Sequence, residues 1–249
     1  MTADPGALAV ALRRRKGPWL LAFDVDGTLA PIVTDPSKAQ VPGCVAEDLR
    51  VLASRPSVSV AFITGRDAPA LARMLPLTNV WRAVDHGQFL LAPGEVQTPE
   101  LSPDAKRVLE EFAAFVESTG ARLERKEHSV GAHVRGMDGG ADMLAKAEEA
   151  AQALGLHVRH GRAVVEASFA HGDKGTALGQ IAEHTGAHTL FFAGDDRTDQ
   201  PAIGLAAKRG VGCFVASEEG PAAPSGASVL SGPSAVAAFV AACVREFGP

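Results

Sequence analysis

Five short apolar runs punctuate the chain, and four of them end directly in polar residues that could carry chemistry. The first, Leu20-Leu21-Ala22-Phe23, leads into Asp24-Val25-Asp26-Gly27-Thr28-Leu29. A continuous apolar run of this length predicts a strand buried on both faces, as in a parallel sheet. We place that strand at Trp19 to Asp24. The second run, Val58 to Ile63, stops at Thr64-Gly65-Arg66-Asp67, and the third, Val80 to Val84, stops at Asp85-His86-Gly87. The fourth, Thr189 to Ala193, stops at Gly194-Asp195-Asp196, and the fifth covers Val211 to Val215. Helical spacing appears between the runs. Val45, Leu49 and Leu52 predict a helix to Ser54, closed by Arg55-Pro56. Further helices are expected at Ala7 to Lys16, Ala68 to Leu75, Lys174 to Thr185, Pro201 to Lys208 and Ser234 to Phe247. Residues 218–232, rich in small residues and proline, read as loop. Strands alternating with helices imply a parallel sheet with helices on its faces.

The middle of the chain follows a different pattern. Ser102-Pro103-Asp104 supplies a cap, an early proline and an early acid for a helix to about Thr119. Leu123 to Lys126 and Ser129 to Arg135 read as strands. A helix follows from Ala141 to Leu154. His157 to Arg159 and Arg162 to Ser168 then form an expected hairpin about His160-Gly161. Helix, two strands, helix, two strands is an α+β unit, placed at 99–168. The remaining residues, 1–98 and 169–249, form the parallel-sheet core.

Composition narrows the possibilities. Of 249 residues, 24 are basic and 29 acidic, a formal net charge of −5, so no general nucleic-acid-binding face is expected. Cys44, Cys213 and Cys243 are three in number and widely spaced, with no zinc-type pair. They fit reduced, mostly buried thiols and a cytoplasmic location. Arg13-Arg14-Arg15-Lys16 precedes an apolar run as in a signal peptide, but that run is short and ends in Asp24. No stretch approaches a membrane span, so no membrane association is expected, and a monomer is.

The strand ends carry the chemistry. Side chains alternate along a strand, so Asp24 and Asp26 point to one side and Val25 to the other. Two carboxylates that close repel. A bound cation, or different protonation states, would let them coexist. Open parallel sheets bind ligands at the carboxyl ends of their strands. That rule brings Asp24, Asp26, Thr64, Asp195 and Asp196 to one edge, with Asp199 one helical turn on and Lys174 opening the helix before the fourth strand. Each residue taken singly has a plainer reading. Asp-Gly is a turn, Thr64 caps the following helix, Lys174 is a solvated lysine, and Asp195-Asp196 caps a helix. Their joint placement favours chemistry.

In this order the segments Asp24-Val25-Asp26-Gly27-Thr28, Thr64, Lys174 and Gly194-Asp195-Asp196-Arg197-Thr198-Asp199 resemble the four motifs of the haloacid dehalogenase-like phosphatases. Glu124-Arg125-Lys126, His133-Val134-Arg135 and Glu166 followed by Asp173-Lys174-Gly175 look most like the trehalose-6-phosphate phosphatases. The resemblance implies an α/β fold, a Rossmann-like parallel-sheet core with an inserted α+β cap domain. It implies Asp24 as nucleophile, Asp26 as general acid and base, Thr64 on the phosphoryl group and Lys174 as charge stabiliser. Mg²⁺ suits a carboxylate attacking a phosphate, with Asp24, the Asp26 carbonyl and Asp195 or Asp196 as ligands and Asp199 in support. Gly65, Arg66 and His86 would face the substrate, His86 being equally readable as a turn residue. Glu124, Lys126, Arg135 and Glu166 would meet a phosphorylated disaccharide, or else pair as surface ions. Two segments depart from the family pattern: Glu166-Ala167-Ser168-Phe169 where Glu-x-Arg-Pro is usual, and Gln200-Pro201-Ala202-Ile203 where an acidic run is usual. The expected activity is hydrolysis of trehalose 6-phosphate. The alternatives are a phosphatase of a sucrose- or glucosylglycerate-type phosphate, a phosphomutase, or a silent sugar-phosphate sensor.

Overall fold

The computed structural model describes residues 2–161, 163–217 and 220–248. Arg162, expected to open a hairpin strand, and Glu218 and Glu219, expected in a loop, lie outside the described residues. The chain divides into two units, Met1–Thr98 with Gly172–Pro249, and Pro99–His171.

The first unit begins with α1 (Pro5–Arg13), β1 (Trp19–Phe23), α2 (Gly43–Ala53), β2 (Val58–Ile63), α3 (Ala68–Met74), β3 (Trp81–Val84) and β4 (Phe89–Leu91). The second contains α4 (Pro103–Thr119), β5 (Arg122–Arg125), β6 (Ser129–His133), α5 (Gly140–Ala153), β7 (His157–Gly161) and β8 (Val164–Ser168). The chain then completes the first unit with α6 (Lys174–Thr185), β9 (Thr189–Gly194), α7 (Gln200–Arg209), β10 (Gly210–Val215), β11 (Ser228–Leu230) and α8 (Pro233–Glu246).

In the first unit seven strands run in the order β11-β10-β9-β1-β2-β3-β4, parallel except for β4. β1 lies inside the sheet, and all five of its residues are buried. Alternation sends Leu21 and Phe23 to one face, where they meet Phe62, Phe191 and Phe239. Leu20 and Ala22 go to the other, against Leu178, Ile181, Phe192 and Ile203. Each fully buried leucine, isoleucine or phenylalanine among these contributes about 1.5–3 kcal/mol relative to exposure. This two-sided burial explains why these strands are uninterrupted apolar runs. Register sets the site: Phe23 pairs with Phe62 of β2 and with Ala193 of β9, so three strands leave the sheet at one level. The Asp24 amide donates to Ala193 O at 2.9 Å, and the Thr64 amide to Ala83 O at 2.9 Å.

Local signals fix the helix ends. Asp67 Oδ1 accepts from the Ala70 amide at 2.8 Å to start α3, and Asp173 Oδ1 from the Thr176 amide at 2.7 Å to start α6. Ser102 Oγ caps α4, as its sequence predicts. Gly172, where the chain re-enters the first unit, is buried. A Cβ there would stand 2.7 Å from Asp85 O and 2.9 Å from Gln88 N.

The second unit is a four-stranded antiparallel sheet, β5-β6-β8-β7. One face packs on α4 and α5 through Phe112, Val116, Val130, Ala132, Val165 and Ala167. The alternate positions form a polar face that includes Glu124, His133, Glu166 and Arg159.

Five details differ from the sequence reading. β4 and β11 were not expected, and β11 lies within the segment read as loop. Each has only three residues, too few to show a period. The hairpin turn expected at His160-Gly161 lies later, since both residues belong to β7 and Gly161 pairs with Val164. β6 stops at His133 rather than Arg135, and α1 ends at Arg13 rather than Lys16.

Candidate active site

The end of β1 delivers Asp24 into a buried ionic cluster. Lys174 Nζ donates to Asp24 Oδ1 at 2.7 Å and to Asp199 Oδ1 at 2.6 Å. Asp24, Lys174 and Asp199 are respectively 5%, 3% and 0% exposed, so this is not a surface ion pair. The solvated-lysine reading of Lys174 is thereby excluded. Burial alone would drive the Lys174 ammonium toward neutrality, but Asp199 and Asp24 outweigh it and hold its pKa above the ordinary lysine value. Burial pushes the Asp24 carboxyl well above its usual range. Lys174 opposes that rise, and the Asp199 and Asp195 charges add to it.

Asp195 completes the cluster. Ligand oxygens of Asp24, Asp195 and Asp199 all lie within 4.8 Å of one another. Two glycines make this approach possible. A Cβ on Gly27, which has φ +78°, would fall 2.2 Å from Asp195 Oδ2, and one on Gly194 would fall 2.3 Å from Asp199 Cγ. Asp199 Oδ2 also accepts from the Asp195 and Asp196 amides at 3.1 and 2.9 Å. Asp195 is pushed up to about 7, first by burial and then by the Asp199 charge. Three carboxylates face one ammonium. The all-oxygen donor set and surplus negative charge fit a hard divalent cation. Asp196, expected beside Asp195, is exposed and outside this group, whereas Asp199 is inside it.

Asp26 and Arg66 meet across 40 residues of sequence. Arg66 Nε donates to Asp26 Oδ2 and Nη2 to Asp26 Oδ1, both at 2.7 Å, and Nη2 also reaches Pro36 O at 2.9 Å. Arg66, expected to face substrate, is thus engaged with the expected acid and base, a partnership the sequence did not suggest. Thr64 is 1% exposed, and its Oγ1 accepts from the Arg66 amide at 3.2 Å. The helix cap considered for Thr64 is supplied instead by Asp67. His86 lies in a tight turn with Asp85, both in the left-handed region at φ 59° and 49°. Its amide donates to Thr64 O at 2.7 Å. Its ring occupies the space a side chain at Gly65 would need, 2.4 Å from that Cβ position. Gly65 and His86 therefore build the loop that presents Thr64 and Arg66. Thr28 is fully buried, and its hydroxyl has no hydrogen-bond partner among the described residues.

The second unit holds its own polar cluster. Lys126 Nζ donates to Glu166 Oε1 and Oε2 at 3.0 and 2.9 Å, and Ser129 Oγ to Glu166 Oε1 at 2.6 Å. The Lys126 and Glu166 side chains are only 15% and 13% exposed, unlike a surface ion pair. Glu124 Oε2 bonds His133 Nε2 at 2.7 Å. Arg135 is exposed beyond β6 and joins none of these groups. Ser129 was missed by the sequence reading, although it stands on the same strand face as His133.

Residues 22–229 match the trehalose-phosphatase family. The chain belongs to that family. The trehalose-phosphatases lie within the haloacid dehalogenase superfamily that the motifs resemble. The trehalose-phosphate phosphatase of Mycobacterium marinum (strain ATCC BAA-535 / M) is 33% identical over 232 residues, 87% of this chain. The present chain spans only 59% of that relative's length. The solved trehalose-6-phosphate phosphatase of Aspergillus fumigatus superposes with a TM-score of 0.68 at 25% identity, covering 98% of each chain. The trehalose-6-phosphate phosphatase C-terminal domain of Candida albicans shares the fold, with a TM-score of 0.74 at 21% identity, over 99% of this chain and 98% of that one. The α/β fold is thus shared with solved trehalose-6-phosphate phosphatases.

Proposed function

We propose that this chain is a Mg²⁺-dependent phosphatase that hydrolyses trehalose 6-phosphate to trehalose and phosphate. The observation that carries the reading is the buried cluster of Asp24, Lys174, Asp195 and Asp199, with Asp26 following Asp24 by two residues. In this proposal the first unit is the catalytic core and the second is the cap that selects the sugar.

Asp24 is the nucleophile. Lys174 binds its Oδ1, which leaves the second oxygen to form the bond to phosphorus as the sugar–oxygen bond to phosphorus breaks. Asp26 gives a proton to the departing sugar oxygen. It then takes one from the water that attacks the aspartyl-phosphate, releasing phosphate and restoring Asp24. Arg66 orients Asp26 through both carboxylate oxygens. Thr64 donates to the phosphoryl group, and Lys174 neutralises charge there. Asp24, Asp195, Asp199 and the Asp26 carbonyl are the residues that would hold Mg²⁺, whose charge offsets that of the carboxylates and the phosphate. Glu124 and Glu166 accept hydroxyl hydrogens of the disaccharide, and Lys126 donates to its oxygens.

Phosphate release measured with Mg²⁺ across trehalose 6-phosphate, sucrose 6-phosphate, a glucosylglycerate phosphate and glucose 6-phosphate tests this reading. We expect a clear preference for trehalose 6-phosphate. Preference for another sugar phosphate would keep the core chemistry and discard the substrate. Isomerised sugar phosphate without phosphate release would indicate a mutase, and no turnover of any substrate would indicate a sensor.

A further inference from the structure

The row Glu124, Gly131, Glu166 and Arg159 crosses the second unit's sheet through direct pairings on β5, β6, β8 and β7. His133 is two residues beyond Gly131 on β6 and therefore on the same face. The two glutamates are held differently. Glu166 receives Lys126 on both oxygens and Ser129 on Oε1. Glu124 is held on Oε2 alone, by His133 Nε2 at 2.7 Å, and no hydrogen bond reaches its Oε1 among the described residues. A lysine swings its ammonium over both oxygens of a carboxylate. A rigid imidazole presents one ring nitrogen in a fixed direction and occupies one oxygen.

The hydrogen bond from His133 is the main cause that keeps the Glu124 carboxyl below its ordinary pKa, against burial and with help from Lys126. Glu124 is thus an ionised acceptor with one oxygen tied. Gly131 stands between the two glutamates. A Cβ there would lie 3.3 Å from His133 Nε2 and 3.4 Å from Glu124 Oε2, pressing on the bond between them. Bare backbone at Gly131 keeps that bond unstrained.

We propose that His133 is a positioning residue for sugar selection: it ties Oε2 of Glu124 so that Oε1 is left to accept a hydroxyl of a sugar ring seated over Gly131. The proposal rests on the sugar-phosphatase reading above. A purely structural His133 would affect stability but not the discrimination between substrates.

The test compares the wild type with His133→Ala, His133→Gln, Glu124→Gln, the His133→Ala/Glu124→Gln double variant and Gly131→Ala. Each is assayed on trehalose 6-phosphate and on para-nitrophenyl phosphate, which has no sugar hydroxyl. Loss of one hydrogen bond to a charged group predicts that His133→Ala raises KM for trehalose 6-phosphate about tenfold, with kcat within about twofold. The preference for trehalose 6-phosphate over the aryl phosphate falls by the same factor. His133→Gln, which retains a donor, recovers part of the preference. The double variant is no worse than Glu124→Gln alone, and Gly131→Ala shifts KM in the same direction with both partners present. A parallel loss on both substrates, or single effects that multiply in the double variant, would overturn the proposal. A wild type that prefers trehalose 6-phosphate while His133→Ala keeps its KM defeats the proposal alone. A wild type without that preference defeats the substrate reading, and the proposal with it.

Discussion

Asp195 makes the first unit's stability depend on pH in a direction opposite to that of ordinary surface carboxylates. Its carboxyl is pushed up to about 7 from an ordinary 3.8, by burial first and by Asp199 next, with Lys174 opposing. The folded protein therefore keeps the Asp195 proton to higher pH than the unfolded chain does. The stability this confers is complete below about pH 4 and is lost as pH rises through about 7. Each pH unit between the two values is worth about 1.4 kcal/mol, so ionised Asp195 costs the chelated protein at most about 4 kcal/mol. Asp195→Asn keeps the shape and removes the charge. With a chelator present, the variant should match the wild type near pH 4 within about 1 kcal/mol and exceed it at pH 8 by up to about 4 kcal/mol. Mg²⁺ at about one hundred times its dissociation constant should add about 2.7 kcal/mol to the wild type and much less to the variant. Urea unfolding from pH 4 to 8, with chelator or with Mg²⁺, reads both effects. Parallel pH curves for the two proteins, or a variant less stable than wild type at pH 8 under chelation, would refute the reasoning.

Three further outcomes follow from the same geometry. Asp24→Asn should lower phosphate release by about four orders of magnitude or more, and substantial residual turnover would remove Asp24 from the nucleophile role. Arg66→Ala frees both oxygens of Asp26 and should lower kcat about 10- to 100-fold, while stabilisation by Mg²⁺ in thermal melts stays as in the wild type. Gly27→Ala places a Cβ 2.2 Å from Asp195 Oδ2 at φ +78°. It should weaken Mg²⁺ binding at least about tenfold by calorimetric titration, because the residue is both strained and in the way.

The parts of the site legible in the sequence are those where one local rule decides. Asp24 and Asp26 follow a strand whose apolar run leaves no other assignment, and the carboxyl-edge rule then collects Thr64, Lys174 and Asp195. The sequence places Asp199 one helical turn beyond the adjacent pair Asp195-Asp196, in support of the metal or of Lys174. A 3₁₀ turn at Arg197–Asp199 instead brings Asp199 back under Gly194, and Asp196 is left exposed. The grip of Arg66 on Asp26 joins two loops through tertiary structure alone, and no spacing rule reports it. The same holds for Lys126 and Glu166, which are 40 residues apart. β4 and β11 escaped because three residues cannot display alternation, and their neighbours in the sheet determine them.

Gly172 fixes where the chain resumes the first unit. The backbone at this joint sits so close to the Asp85–Gln88 turn that the return of the chain is fixed by the first unit itself, two residues before Lys174. The two carboxylates that hold the buried ammonium, Asp24 and Asp199, belong to the same unit. Residues 99–171 interrupt the first unit in sequence without supplying either carboxylate that holds the lysine. On the proposed function, phosphoryl chemistry would be constrained by a few ångströms at this joint, while substrate choice would be free to change with the insertion.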